Sequence, residues 1–415
     1  MKKKRRYRKS KHMHTKWFYK WMVPILVLFC VGGVLIASVI HRDPAIPTGG
    51  AAFVESSREP IVSESEFLEV SSKPEETGPP VIDESDYVEY NGPIEHIFFH
   101  PLVVYPELAF DGDYQAKGMD DYMTTNVEFQ RILEELYKND YVLIYPSMIA
   151  DLKLPPEKKP VIISTDDINY YPYMRENGCN DKLVVGEDGH IASTAVNPKT
   201  QKEEIRTDAE VFPILYRFVQ EHPDFSHHGA MAIVGLTGYD GILGYRTQKD
   251  SPNRAKEMEA VKPVIECLKK DGFVFASHSY AHATTSDKDA AFVYSDCQQW
   301  KDEVESLIGP TDLYFFPYGD YPKHGTDAFR TFIDFGFTHL SGVGINTYRK
   351  NYEGYWFDDR KNLDGLTFRR CLNQGRDYVN DNGKPSVFNQ VWDMMDVDYV
   401  FDARRGDTPG QGDFS

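Results

Sequence analysis

From about residue 93, short apolar runs alternate with longer stretches whose apolar residues recur at helical spacing. The strand-like runs are His96–Pro101, Leu102–Tyr105, Tyr141–Tyr145, Pro160–Ser164, Ala230–Leu236, Gly272–Ala276 and Asp312–Phe316. The helix-like stretches are Val127–Asn139, Val211–Gln220, Arg254–Lys270, Cys297–Ile308 and Thr326–Phe335. Because parallel strands are joined by helices of this length, the alternation predicts an α/β fold with a parallel sheet, open or closed.

The N-terminal region carries the signals of a membrane segment. Met22–Ile40 is nineteen residues without a charge, long enough to cross a bilayer core of about 30 Å. A secretory signal peptide is the alternative, but its apolar part usually spans only about 7–15 residues. Residues 1–20 hold ten Lys or Arg and no acidic residue. These features predict a single-pass cell-membrane protein with a cytoplasmic N-terminus and an extracytoplasmic folded domain.

Composition then divides the rest of the chain. Residues 41–92 are rich in Pro, Glu and Ser, which is typical of a disordered linker. The predicted organisation is a basic cytoplasmic tail at 1–21, a transmembrane helix at 22–40, this linker at 41–92, an N-terminal extension of the main domain at 93–158, the main domain at 159–400 and a flexible tail at 401–415.

Charge and cysteine content exclude two classes of protein. Beyond residue 20 the chain holds 36 basic and 64 acidic side chains, so it should repel phosphate backbones, and nucleic acid is excluded as a partner. Five cysteines in 415 residues do not make a disulfide-built scaffold.

The first candidate site is Asp166-Asp167, directly after the apolar strand Pro160–Ser164 and Thr165. Sites in parallel α/β folds are built at such carboxyl ends of strands. Two adjacent buried carboxylates are costly unless a positive charge meets them. The alternative is a turn or a helix cap, for which Asp is common.

The second candidate is the pair His278 and His282 in Ser277–His282, after the strand Gly272–Ala276. On a helical turn, residues four apart face the same way, so two imidazoles could bind one ion. Zinc sites use such pairs. The alternative is a chance pair of surface or core histidines.

The third candidate is the turn Phe316-Pro317-Tyr318-Gly319 after the last predicted strand. A turn of this kind can present a backbone N–H to a developing oxyanion. By itself it is more typical of a plain β-turn.

Taken together and in this order, the three motifs resemble those of the polysaccharide deacetylase family (carbohydrate esterase family 4, the NodB-homology domain). That family has an Asp-Asp motif, then His-Ser/Thr-x-x-His, then a Pro-Tyr-Gly-type motif. The resemblance covers roughly residues 93–380. It implies a distorted seven-stranded (β/α) barrel and a divalent metal, with Zn²⁺ as the expected ion.

The resemblance also implies roles for single residues. Asp167, His278 and His282 would bind the metal, and Asp166 would be the general base. The backbone N–H of Tyr318 would hold the oxyanion.

The sequence departs from the family at three points. Ile168 stands where the family usually has Gly, and Phe315 where it often has Arg. There is no Leu-x-His near the C-terminus, where the family places its general acid, so His324 and His339 are the candidates for that role. Arg369 and Arg370 are candidate partners for a site carboxylate.

The predicted substrate contacts are aromatic side chains and the turn of the third motif. They are Tyr170, Tyr171, Pro317 and Tyr318. The resemblance implies a hydrolase of non-peptide carbon–nitrogen bonds that removes N-acetyl or O-acetyl groups from a cell-envelope or extracellular polysaccharide. The alternative is a catalytically degenerate carbohydrate-binding or scaffolding module of the same fold, anchored in the membrane.

Overall fold

The computed structural model describes residues 84–414, which fold around one mostly parallel sheet. The strands are β1 Val88–Glu89, β2 Glu95–Phe99, β3 Tyr141–Leu143, β4 Lys153–Leu154, β5 Lys159–Thr165, β6 Lys182–Val185, β7 Ile191–Val196, β8 Glu203–Arg206, β9 Ile233–Leu236, β10 Val274–Ser277, β11 Leu313–Phe315, β12 His339–Val343, β13 Arg349–Tyr352 and β14 Tyr355–Asn362.

The α-helices lie between and after these strands. They are Pro106–Ala109, Ala116–Tyr122, Asn126–Lys138, Pro172–Glu176, Val211–Glu221, Arg254–Lys270, Ala290–Trp300, Ser306–Ile308, Asp327–Asp334, Gly365–Gln374, Asn389–Met394 and Val397–Val400. Short 3₁₀ turns occupy Pro146–Asp151, Pro223–Phe225, His227–Gly229, Pro317–Gly319 and Ala403–Arg405, and a π-helical turn occupies Lys301–Glu305.

Seven parallel strands close into a barrel. Their order is β2, β5, β9, β10, β11, β12 and β14, and β14 pairs with β2 to complete the ring. The predicted seven-stranded (β/α) barrel is therefore confirmed. The barrel is distorted at β5, because β3 pairs with the start of that strand while β9 pairs with its end.

The barrel interior is apolar at one end and polar at the other. Residues that fill the amino-terminal part form one cluster: Val142, Ile144, Leu152, Leu154, Ile162, Ile233, Ala276, Leu313 and Phe315. A larger apolar cluster includes residues of the surrounding helices, such as Phe129, Leu133 and Leu268. The polar end, at the carboxyl ends of the strands, is the barrel mouth.

The helix Asn126–Lys138 shows how well local sequence predicts an element here. Thr125 Oγ accepts from the Glu128 backbone N–H at 3.1 Å, and the Glu128 carboxylate accepts from the Thr125 N–H at 2.9 Å. This capping box makes Thr125 the N-cap of the helix. The helix Arg254–Lys270 has the predicted bounds.

Other sequence predictions fail where tertiary contacts decide. Residues 102–105 form no strand. Residues 84–92 of the predicted linker include β1, which pairs antiparallel with β4. The predicted flexible tail is packed at Arg405, whose side chain is fully buried. The segment that follows Asp167 contains the three-stranded antiparallel sheet β6-β7-β8, which was not predicted from the sequence.

The membrane prediction needs correction. Across residues 84–414, no helix combines the length and the apolar character needed to cross a membrane. The segment Met22–Ile40, on which the prediction was based, lies outside the described residues. The assignment as a single-pass cell-membrane protein is therefore not retained.

Candidate active site

The three sequence motifs meet at the barrel mouth. Asp166 and Asp167 follow β5, His278 follows β10, and Tyr318 lies in the turn after β11. β10 and β11 are neighbours, and only β9 separates β10 from β5, so the carboxyl ends of these strands lie side by side.

Asp167, His278 and His282 form a cluster in which one ligand atom from each lies within 4.8 Å of the others. His282 Nε2 is 3.6 Å from Asp167 Oδ2, and His278 Nε2 is 4.0 Å from Asp167 Oδ1. Ligand atoms about 2.0–2.1 Å from a tetrahedral ion lie about 3.3 Å apart, so a small contraction would close this cluster around a divalent ion. One carboxylate and two imidazoles are a donor set that suits zinc.

Hydrogen bonds from the second ring nitrogens orient both imidazoles. His278 Nδ1 lies 2.9 Å from the Phe315 carbonyl and donates to it, which leaves Nε2 to face Asp167. His282 Nδ1 lies 3.1 Å from the Tyr318 hydroxyl. Burial lowers the pKa of His278 to about 4 against the pull of the nearby carboxylates, so its ring is in the neutral, metal-binding form.

The histidine motif is a loop and not the helical turn that the spacing suggested. Ser279 and His282 have φ angles of 60° and 51°, outside the helical region. The Asp296 carboxylate holds the loop by accepting from the backbone N–H groups of Tyr280 and Ala281 at 3.0 Å each. The two imidazoles converge because this loop folds back over the mouth.

Left-handed backbone recurs at the other site residues. Asp167 and Tyr318 both have φ of 59°. Each non-glycine residue in this region costs of order 1 kcal/mol or more, and such strain clusters at functional sites.

Asp166 forms a buried ion pair with Arg360. Its two oxygens accept from Arg360 Nη1 at 2.7 Å and Nη2 at 2.9 Å. Burial alone would raise the pKa of Asp166, but the charge of Arg360 and its hydrogen bonds to the carboxylate outweigh burial and hold this pKa well below its usual range. Asp166 is therefore ionised throughout the physiological pH range.

A chain of polar side chains continues from Arg360 into the barrel. Arg360 Nη1 is 3.4 Å from Ser164 Oγ, which lies 2.9 Å from His96 Nε2. His96 Nδ1 is 2.9 Å from Asp358 Oδ2, and Arg349 donates to the same oxygen at 2.8 Å. The guanidinium of Arg360 thus contacts both the Asp166 carboxylate and Ser164, the first member of this chain of polar side chains.

Sequence reasoning missed Arg360 and proposed the wrong arginines. Arg369 instead donates to both oxygens of Asp120, and Arg370 lies over the Phe388 ring. Arg360 belongs to β14, which contains so many charged residues that the sequence did not indicate a strand there. The signal that could have found it is period-two alternation in Tyr355–Asn362, where Phe357 points to the surrounding helices and Asp358 and Arg360 point inward.

His100 is a second residue that the sequence did not single out. It follows β2 and continues the inward face of His96 and Phe98, with its ring 5.8 Å from that of Phe98. Its Nδ1 lies 3.1 Å from the Tyr122 carbonyl, which makes Nδ1 the donor and directs the tautomer to a basic Nε2. His100 thus lies one step beyond Phe98, at the carboxyl end of β2.

Neither predicted general acid lies at the mouth. His339 is the first residue of β12, at the amino end of the barrel, and its Nδ1 is 3.0 Å from Asp312. His324 Nδ1 is 3.0 Å from the hydroxyl of Tyr355, the first residue of β14, and its ring stacks on Tyr352. Both assignments are wrong because these strands begin at the end opposite to Asp166.

The predicted substrate contacts divide in a similar way. Tyr170 is fully buried with its hydroxyl on Glu210, and Pro317 and Tyr171 are also buried. Tyr318 is 42% exposed beside His282. Of the four, only Tyr318 presents a ring to a ligand.

Comparison with known proteins gives likeness of structure without likeness of sequence. No protein-family model matches the chain, and no curated protein matches it. The deacetylase PplD of Streptococcus pyogenes, solved in complex with acetate, is similar with a TM-score of 0.41 and 14% identity, over 74% of this chain and 100% of that one.

Two further solved structures are similar to the same extent. A polysaccharide deacetylase of Bacillus cereus has a TM-score of 0.40 and 12% identity, over 73% of this chain and 69% of its own. A de-N-acetylase of Aggregatibacter actinomycetemcomitans has a TM-score of 0.40 and 12% identity, over 66% and 96%. At these scores no activity or residue role is transferred from them, and the function has to be argued from the site.

Proposed function

We propose that the chain is a metal-dependent hydrolase that removes acetyl groups, N-acetyl in preference to O-acetyl, from a polysaccharide. The observation that carries this proposal is a cluster of three potential metal ligands, the triad of Asp167 with His278 and His282, directly beside the ionised carboxylate of Asp166. A cation site next to a separate base is the arrangement that hydrolysis of an amide or ester by water requires.

Each residue then has one task. Asp167, His278 and His282 would hold the ion, with Zn²⁺ as the best fit to the donor set. When bound, the ion supplies a water of lowered pKa and polarises the acetyl carbonyl. Asp166 takes a proton from the attacking water, while Arg360 keeps the carboxylate ionised and fixed.

Two groups complete the reaction. The Tyr318 backbone N–H, presented by its left-handed turn, donates to the oxygen that gains negative charge at the carbonyl. Water adds to the carbonyl carbon, the C–N bond breaks, and acetate leaves. The departing amine needs a proton, and we assign its delivery to the imidazole of His100, which the Tyr122 carbonyl orients through Nδ1.

One observation favours the alternative of an inactive carbohydrate-binding module. Both oxygens of Asp166 are engaged by Arg360, and the depressed pKa of Asp166 weakens it as a base. Acetate release separates the two functions.

The test uses the full chain loaded with Zn²⁺. We expect about one equivalent of metal and release of acetate from at least one member of a panel of acetylated glycans that includes chitin oligomers, peptidoglycan and xylan. His278→Ala with His282→Ala should lose both metal and activity. His339→Ala, which removes a histidine paired with an aspartate at the other end of the barrel, should lose neither.

Unchanged metal content in the double variant would refute the metal site. Metal binding without acetate release from any glycan would favour the binding module.

A further inference from the structure

Three tyrosine rings stack beside the triad of potential metal ligands. The Tyr171 ring stacks on Tyr173, with centroids 6.1 Å apart, and on Tyr239, with centroids 5.3 Å apart. The interplanar angles are 20° and 23°. Tyr171 is buried, whereas Tyr239 is 39% exposed. The stack therefore ends in an aromatic ring at the surface.

The stack is held at the site through its central ring, Tyr171, and through the backbone of its exposed residue, Tyr239. The Tyr171 hydroxyl donates to Asp167 Oδ1 at 2.9 Å and lies 2.7 Å from Thr237 Oγ1. The Tyr239 backbone N–H donates to the Tyr280 carbonyl at 3.0 Å, inside the histidine loop. The position of the Tyr239 ring is therefore set by the elements that set the metal ligands.

Gly238 makes this close approach possible. A Cβ at Gly238 would lie 2.3 Å from the Tyr280 ring, a distance that no side chain can tolerate. Any larger residue would push the loop with Tyr239 away from the mouth.

A second exposed ring lies beside His282 of the triad. Tyr318 packs edge-on against His282, with centroids 4.7 Å apart. Tyr239 reaches the triad through Tyr171 and Asp167, and Tyr318 reaches it through His282. Two exposed aromatic rings, here called the aromatic walls, thus lie beside the place where an acetyl group would react.

The chemistry of these walls selects a ligand class. Exposed aromatic faces beside a polar centre suit a molecule with an apolar C–H face and a polar edge, which is the character of a pyranose ring. The net charge of −18 disfavours nucleotides and other phosphates, which could also stack on tyrosine. Tyr170 and Tyr171, the rings expected from sequence, cannot serve because they are buried.

We propose that Tyr239 forms a sugar-binding subsite that stacks on the pyranose next to the one whose acetyl group lies at Asp167. This subsite rests on the proposed function and extends it, because it makes recognition depend on the length of the chain: the protein should prefer a polymer to a monosaccharide.

The experiment measures binding without turnover. Full-length Zn²⁺-loaded Asp166→Asn protein is titrated calorimetrically with penta-N-acetylchitopentaose and with N-acetylglucosamine. Adding Tyr239→Ala should weaken binding of the pentamer about tenfold or more while leaving the monosaccharide unaffected. Tyr239→Phe should keep the affinity, and Tyr239→Leu, apolar but not aromatic, should behave as Ala. Tyr378→Ala, at a tyrosine 40% exposed elsewhere, is the matched control.

The subsite is refuted if Tyr239→Ala binds the pentamer as the parent does, if both sugars weaken equally, or if the parent binds neither. Its failure can be told apart from failure of the proposed hydrolase. Acetate release by the wild type with unaltered binding in Tyr239→Ala refutes the subsite alone. Loss of pentamer binding in Tyr239→Ala without acetate release by the wild type supports the subsite and refutes the hydrolase.

Discussion

Two buried clusters of charge lie in this molecule, and they are completed in different ways. In the first, Arg405 is fully buried and donates to both oxygens of Glu128 at 2.7 Å, to Asp120 at 3.1 Å and to the carbonyls of Asp120 and Met123. In the second, Asp167 faces two imidazoles whose Nε2 atoms stand 3.6 and 4.0 Å away, beyond hydrogen-bond distance.

The difference separates a cluster that the chain completes by itself from one that has the spacing of a metal site. The chain itself supplies the cation that compensates Glu128 and Asp120, so that cluster contributes to the fold without a ligand. The triad brings a buried carboxylate and two nitrogen donors together at spacings that a divalent ion would close. Asp166 lies beside the second cluster, next to Asp167. Its cation is nevertheless supplied by the chain, as in the first cluster, because it pairs with Arg360.

The largest effect should come from separating the two neighbouring carboxylates. Asp166→Asn should cut acetate release by roughly 10²–10⁴-fold, the usual value of a general base, while metal content stays near one equivalent. Asp167→Asn should lower metal affinity as well as activity, because it removes a charged ligand. Parallel metal analysis and acetate assays check this. Full activity in Asp166→Asn, or equal metal loss in both variants, would contradict the division of roles.

The next effect is on stability. Arg405→Ala leaves Glu128 buried without its cation and leaves Asp120 with Arg369 alone, so the free energy of unfolding should fall by about 3–5 kcal/mol. Urea denaturation measures it. Exposed Arg370→Ala is the control and should change stability by less than about 0.5 kcal/mol. If Arg405→Ala destabilises the protein no more than the control does, the Arg405 cluster does not stabilise the fold and the distinction between the two clusters is wrong.

A smaller effect is expected at Arg360, which lies beside the triad but forms an ion pair of the kind seen in the Arg405 cluster. Lysine keeps the charge but loses the two-pronged contact with Asp166 and the packing between the rings of Phe98 and Phe315. Arg360→Lys should destabilise the fold by about 1–3 kcal/mol and lower turnover more than metal content. A variant with wild-type stability and activity would show that charge alone is enough at this position.

The smallest effect concerns pH beside the Arg405 cluster. Burial raises the pKa of Asp364, the N-cap of Gly365–Gln374, to about 7. The protonated form is therefore favoured in the folded state, so its stabilisation is complete below pH about 4 and is lost as pH rises through about 7. Between pH 5 and 7 the wild type should lose on the order of 1–2 kcal/mol.

Asp364→Asn should flatten this dependence while keeping the cap, since Asn caps as well as Asp. Urea midpoints at both pH values provide the measurement. An equal slope in the variant would assign the pH dependence to another group.

How far the sequence predicted the site depends on the range of the contacts involved. Strand-end placement of Asp166, His278 and Tyr318 was predictable because apolar runs and breakers are local signals. The helix Asn126–Lys138 was predictable from its period and its Thr125 cap. Arg360 was not, because its partner lies 194 residues away and β14 carries too many charges to stand out as a strand. The aromatic contacts failed for the same reason, since burial of Tyr170 depends on Glu210 in another element.

The closure of the barrel has a consequence for the order of folding. One edge of β2 pairs with β5, which is close in the sequence. Its other edge pairs with β14, where Lys361 lies opposite Ile97 across roughly 260 residues. Contacts of such separation form late, so the open edge of β2 and the carboxylate of Asp166 stay without their partners until the last barrel strand arrives. Assembly of the site and closure of the barrel should therefore be one kinetic event. Unfinished or truncated chains that lack β14 should expose an aggregation-prone edge.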